Sequence, residues 1–277
     1  MVLPQMELAE INGVKLEVVD SRSGEPVMFV HGGMGDECFA VLAEPALASN
    51  YRLIHHHRRG WGKSDVPASP VSISQQAADC KAVLEHFGIE RAHLVGQSSG
   101  GVIALQFALD FPDYVHSLAV LEPALSSVFA RFPEFGAELG KAASLYESGD
   151  KAGTIDAFGQ AVAGADYRAV FDQTLPPGYF ERWVSDTDTQ FQFDMPEVQA
   201  WTFTPEDASR INQPVMNMRG ENSIDCFREI YSTIQKWLPQ AENFIVPDST
   251  HAMMQMNPRA VAERLASFFS KHPLKTA

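Results

Sequence analysis

The chain predicts an α/β protein: a mostly parallel sheet with helices on both faces and a helical insertion before the last strands. Three observations carry this. Short runs rich in Val, Leu and Ile alternate with longer stretches of helical spacing through the first half. The rhythm stops between about 125 and 205, where aromatic residues are dense and no clear strand pattern occurs. It then resumes with two apolar runs and a final amphipathic stretch.

Taken in order, residues 15–20 (KLEVVD), 26–31 (PVMFVH), 51–56 (YRLIHH), 92–95 (AHLV) and 117–121 (SLAVL) read as strands, each bounded by Gly, Pro or Asp. Between the third and fourth lies VSISQQAADCKAVLEHFG. Ile73, Ala77, Cys80, Leu84 and Phe87 fall on one helical face, Ser72 or Ser74 suits the N-cap, and Gly88 suits the stop. Residues 99–111 predict a second helix and 256–270 a late one, with Val261, Leu265 and Phe268 on one side. The apolar stretch from Pro214 to Met218 and the run ENFIVP (242–247) complete the sheet. This divides the chain into a core, 1–124 and 206–277, and a helical cap, 125–205. Most cap aromatics are expected to form the cap's own core, and a few to face the cleft beneath it. Sheets of this kind place function at the carboxyl ends of their strands.

The 277 residues suffice for a large buried core, and 45% apolar with 20% charged residues is ordinary for a soluble globular protein. The net charge of −14 makes nucleic acid and anionic membranes poor partners, since both need clustered Lys and Arg. Cys38, Cys80 and Cys226 stand far apart without CxxC spacing, which argues against a disulfide framework or a zinc site. MVLPQMELAE lacks the pattern of a secretory signal, and no run of about 18 apolar residues occurs. The expectation is a cytoplasmic protein; oligomeric state is not legible.

HLVGQSSGG (93–101) is the strongest chemical signal. A predicted strand runs into Gly96-Gln97-Ser98-Ser99-Gly100, and a predicted helix follows. Such a turn exposes the Ser98 hydroxyl, and the flanking glycines keep side chains out of it. HGGMGD (31–36) follows another strand, and its glycines leave backbone N–H groups free to donate. Gly33 and Ser99 are the natural pair of oxyanion donors. Neither G-x-G-x-x-G nor a Walker lysine is present, so the loop does not read as a phosphate site.

His251, in DSTHAMMQMNP after the last strand, is the candidate base. Ser98 first and His251 last is the order that nucleophile-elbow hydrolases require. His55, His56 and His57 are consecutive at a strand end, so their side chains alternate faces and do not converge on a metal. His31 is better suited to bracing the glycine loop.

Together HGG at 31–33, RRGWGKS at 58–64, GQSSGG at 96–101 and the late His251 before an Asn-Pro helix start resemble the α/β-hydrolase family. The resemblance implies a serine nucleophile, an oxyanion hole, a helical lid after the sixth strand and no cofactor. Most members carry an acid shortly after the seventh strand, in a G-x-x-D setting. Here Gly220-Glu221-Asn222-Ser223 puts Ser in that place. A minority of members place the carboxylate after the preceding strand instead, and SLAVLEPAL puts Glu122 there. The expected catalytic set is therefore Ser98, His251 and Glu122, with Asp225 and Glu221 as alternative acids.

Met34, Phe129, Trp183 and Met253 are candidate pocket walls. The expected activity is hydrolysis of a carboxylic ester or lactone of an apolar or aromatic small molecule. Carbon–carbon hydrolysis, cofactor-free perhydrolysis and a non-catalytic ligand-binding receptor are the alternatives. A serine nucleophile disfavours epoxide or haloalkane chemistry, because an alkyl ether to serine would not hydrolyse.

Overall fold

The branched apolar runs form strands and assemble into one sheet in the computed structural model, which describes residues 5–274. The strands are β1 (Glu7–Ile11), β2 (Val14–Asp20), β3 (Glu25–Val30), β4 (Tyr51–His57), β5 (Ala92–Gln97), β6 (Val115–Leu121), β7 (Val215–Gly220) and β8 (Glu242–Val246). Their order across the sheet is β1-β2-β4-β3-β5-β6-β7-β8. From β4 to β8 every pairing is parallel; β1 and β2 join antiparallel at one edge. β1 was not anticipated from the sequence. Its ELAEI is largely exposed at the sheet edge and lacks a continuous apolar run.

Alternation along a strand sends successive side chains to opposite faces, and the central strands use it to bury both. Met28 and Val30 of β3 and Leu118 and Val120 of β6 pack with the helices Ile73–His86, Ser99–Asp110 and Asp225–Trp237. Val27, Phe29, Ala119 and Leu121 instead pack against the short helices Phe39–Leu42 and Pro45–Ala48 and the long helix Pro258–Lys271. Caps fall where side-chain chemistry favours them. Ser72 accepts from Gln75 N, and Asn257 accepts from Ala260 N ahead of Pro258.

Between β6 and β7 the chain leaves the sheet as a series of helices from Ser126–Phe129 to Pro205–Ser209. Tyr167, Phe171, Tyr179 and Trp183 of this segment share an apolar cluster with Met34 and Trp61 from the sheet's loops. Polar ties seat the segment on those loops. Arg58 pairs with Asp194 at 2.6 Å, with both side chains buried. Trp61 Nε1 donates to Asp194 at 3.0 Å, Thr189 Oγ1 to the Gly60 carbonyl at 2.7 Å, and Arg182 Nε to Asp36 at 2.7 Å. The helices therefore close over the carboxyl ends of β3 and β4. Among the described residues, no helix is long and apolar enough to cross a membrane.

Candidate active site

Ser98 links β5 to the helix Ser99–Asp110 and adopts φ 55°, ψ −123°. A non-glycine residue in that region is strained by about 1–3 kcal/mol and persists only when its surroundings enforce it. They do so here. A Cβ on Gly96 would lie 2.3 Å from the Gly100 carbonyl oxygen, and one on Gly100 would lie 2.1 Å from that of Val30. The turn is further held by Ser98 N donating to the Leu121 carbonyl and Ala124 N donating to the Ser98 carbonyl.

Glu122 follows β6 directly, at φ 45° and fully buried. Its Oε2 lies 2.6 Å from His251 Nδ1, and its Oε1 accepts from Gly220 N at 3.0 Å. A buried carboxylate needs such partners to offset its lost hydration. Gly220 ends β7 so close to the His251 loop that a Cβ there would meet the Thr250 carbonyl oxygen at 2.2 Å. The strand end, the acid and the histidine loop are thus packed as one unit. With Nδ1 committed to Glu122, Nε2 is the ring nitrogen left for Ser98. Ser98 and His251 line one cavity, although no hydrogen bond closes between them in the structure.

The glycine loop is oriented by its carbonyls. Arg58 N donates to His31 Nε2 at 3.0 Å, so the His31 proton resides on Nδ1 and is donated to the Gly32 carbonyl at 2.9 Å. Burial, then the nearby Arg58 charge, holds the His31 pKa well down, consistent with a neutral ring. Arg58 Nη2 donates to the same carbonyl at 2.8 Å. N–H and C=O of a trans peptide point in opposite directions, so the Gly33 N–H is turned away from these two donors. Gly33 lines the same cavity as Ser98. Ser99 opens its helix, where the helix itself supplies no acceptor for the N–H.

The alternative acids lie elsewhere. Asp225 is exposed and sits 3.7 Å from Arg228; exposed Glu221 accepts from Asp248 N. Ser223 is buried with its hydroxyl unpartnered. Of the expected pocket walls, Met34 and Trp183 line a space of about 40 Å³ with Ser98 and His251, and Phe129 lines an adjoining one of about 100 Å³. Met253 does neither. It is fully buried beneath the site with Met254, Val261 and Leu265, because its short helix turns inward onto the Pro258–Lys271 helix. Among the histidines of β4, His57 bridges Glu17 at 2.9 Å and Asp36 at 3.3 Å.

Three residues of the site were not anticipated. Gln97 donates through Nε2 to the His251 carbonyl and so ties the His251 backbone to the residue before Ser98. Phe227 stacks on the His251 ring, with centroids 3.9 Å apart and planes 9° from parallel. Glu37 lines the Ser98 cavity and accepts from Gly32 N; burial pushes its pKa up to about 7. Gln97 occupies the free position of G-x-S-x-G, so the motif gives no hint of it. Phe227 reaches the site only through tertiary packing, whereas Glu37 reaches it by the local fold-back of the glycine loop onto Gly32, which no motif residue marks.

Residues 25–258 match the family model described as alpha/beta hydrolase fold. A solved N-acyl homoserine lactone degrading enzyme is similar at 25% identity and a TM-score of 0.74, over 95% of this chain and 100% of that one. An esterase from Exiguobacterium antarcticum has a TM-score of 0.78 at 21% identity, over 95% of this chain and 98% of that one. A soluble epoxide hydrolase from a Corynebacterium species is 31% identical over 127 residues, 45% of this chain and 44% of that one. The first curated relatives are matched over only 32% to 48% of their own length.

Proposed function

This chain belongs to the α/β-hydrolase fold family, and from that premise we propose that it is a serine hydrolase cleaving a carboxylic ester or lactone of a small apolar or aromatic molecule. The observation that carries this reading is the histidine braced by Glu122, lining one cavity with a serine held at φ 55°.

In this reading Ser98 Oγ attacks the carbonyl carbon while His251 Nε2 takes its proton. Glu122 holds the ring through Nδ1 and stabilises the imidazolium. The Gly33 and Ser99 N–H groups receive the oxyanion. Collapse expels the alcohol, which takes the proton from His251; from a lactone the alcohol stays tethered to the acyl chain. Water, deprotonated by His251, then releases the acid and restores the Ser98 hydroxyl. A serine nucleophile does not suit epoxide opening, since that route would leave a stable ether on Ser98.

The walls support the choice of acyl group. Phe129, Phe135, Leu139, Val162, Val198 and Phe227 line the larger space beside Ser98. They favour an apolar or aromatic group of modest size. A panel of esters and lactones of matched size tests the proposal. Turnover of apolar members, lost in Ser98→Ala, supports it; no turnover of either class contradicts it.

A further inference from the structure

Gln190 lies in the π-helical turn Thr189–Asp194 of the segment between β6 and β7, and is 1% exposed. Its Oε1 accepts from Trp183 Nε1 at 2.9 Å. Indole nitrogen only donates, so this contact decides which end of the amide is oxygen. The same indole N–H also reaches the Gly33 carbonyl at 2.7 Å. The other end of the amide, Nε2, is buried and has no acceptor among the described residues.

That unpartnered NH₂ lies against the glycine loop, in a cavity that Ser98 also lines. A Cβ on Gly33 would lie 3.3 Å from Gln190 Nε2. Gln190, Gly33, Ser98 and Ser99 line one cavity. The turn is clamped at both ends, by Thr189 on the Gly60 carbonyl and by Asp194 on Arg58 and Trp61. π-helical turns recur at functional sites, and a buried donor without an acceptor calls for a missing partner.

We propose that Gln190 Nε2 donates to the carbonyl oxygen of the scissile ester or lactone, as a third oxyanion donor beside the Gly33 and Ser99 N–H groups. The oxyanion site is then complete only when the helical segment is seated on the loops below it. This rests on the serine hydrolase reading and adds to it a residue from outside the sheet.

Steady-state kinetics of Gln190→Met and Gln190→Glu test it, on the best ester or lactone from the panel. Gln190→Glu keeps an acceptor for Trp183 and replaces the donor with an acceptor; Gln190→Met removes both. Removing one side-chain amide donor from an oxyanion hole costs roughly 10²–10³ in kcat. With two donors retained, the expected loss is about 10- to 100-fold, carried by kcat, and larger for Gln190→Glu. Binding of a trifluoromethyl ketone, which forms a tetrahedral adduct with Ser98, should weaken by the same factor, while binding of an unreactive ether analogue stays unchanged. A melting temperature within a few degrees of wild type qualifies each variant, and Gln190→Glu carries the test if Gln190→Met does not fold. Wild-type kcat in the folded variants, or a loss confined to KM, overturns the proposal and leaves the hydrolase reading standing. A wild-type protein that turns over no ester or lactone and takes no fluorophosphonate on Ser98 overturns both.

Discussion

Glu122 Oε2 lies 2.6 Å from His251 Nδ1, across 129 residues of chain. This pair favours Glu122 among the three candidate acids. Glu122→Gln leaves the shape intact but turns an acceptor of the ring N–H into an amide with two orientations. Turnover is expected to fall by roughly 10⁴, as when a triad aspartate becomes an amide. Asp225→Asn and Glu221→Gln should stay within about twofold, since both carboxylates are at the surface. Steady-state kinetics on the three variants check this; a severe loss in either surface variant with Glu122→Gln near wild type would reverse the assignment.

Gln97 holds the His251 backbone through its carbonyl. Gln97→Ala frees that carbonyl and lets the imidazole drift relative to Ser98. A misplacement near 1 Å costs up to about 100-fold, so a drop of roughly 10- to 100-fold in kcat with little change in KM is expected. Unchanged kcat would mean that Glu122 and the Phe227 stack hold the ring unaided.

Asp194 is the buried partner of Arg58, and Arg58 in turn holds the Gly32 carbonyl. Asp194→Ala strands the guanidinium without its charge partner. Breaking a buried pair in this way costs about 3–5 kcal/mol. Urea unfolding should show that loss; a change under about 1 kcal/mol would mean that the helical segment is not anchored through this pair.

His57 sits between two carboxylates. Burial lowers its pKa, but the hydrogen bonds and charges of Asp36 and Glu17 outweigh it and raise the pKa to about 9. A histidine raised in the folded state contributes stability that is complete below its unfolded value, near 6.5. That contribution disappears as pH rises through about 9. The melting temperature should therefore fall across this window, and His57→Gln should flatten the fall. Equal slopes in the two proteins would contradict the bridge.

The sheet and the placement of the residues at its edge were largely readable because their signals are local. Period-two alternation marks strands such as β3 and β6, and a serine between two close-packed glycines marks the elbow. Glu122 was readable because SLAVLEPAL puts a carboxylate directly after an apolar strand, where the family resemblance implies that a minority of members carry their acid. Gln97, Phe227 and Gln190 were not, since each acts through a contact made from far along the chain. Met253, a candidate pocket wall from the sequence, lies instead in the core, because its short helix turns it inward. β1 escaped because an exposed edge strand has no apolar run to show.

The most direct test of the account is mass spectrometry of the folded protein after treatment with a fluorophosphonate. One adduct is expected, on Ser98, formed rapidly in wild type and orders of magnitude more slowly in His251→Ala. No adduct on Ser98, or labelling at the same rate without the imidazole, would contradict the assignment of Ser98 as a nucleophile activated by His251.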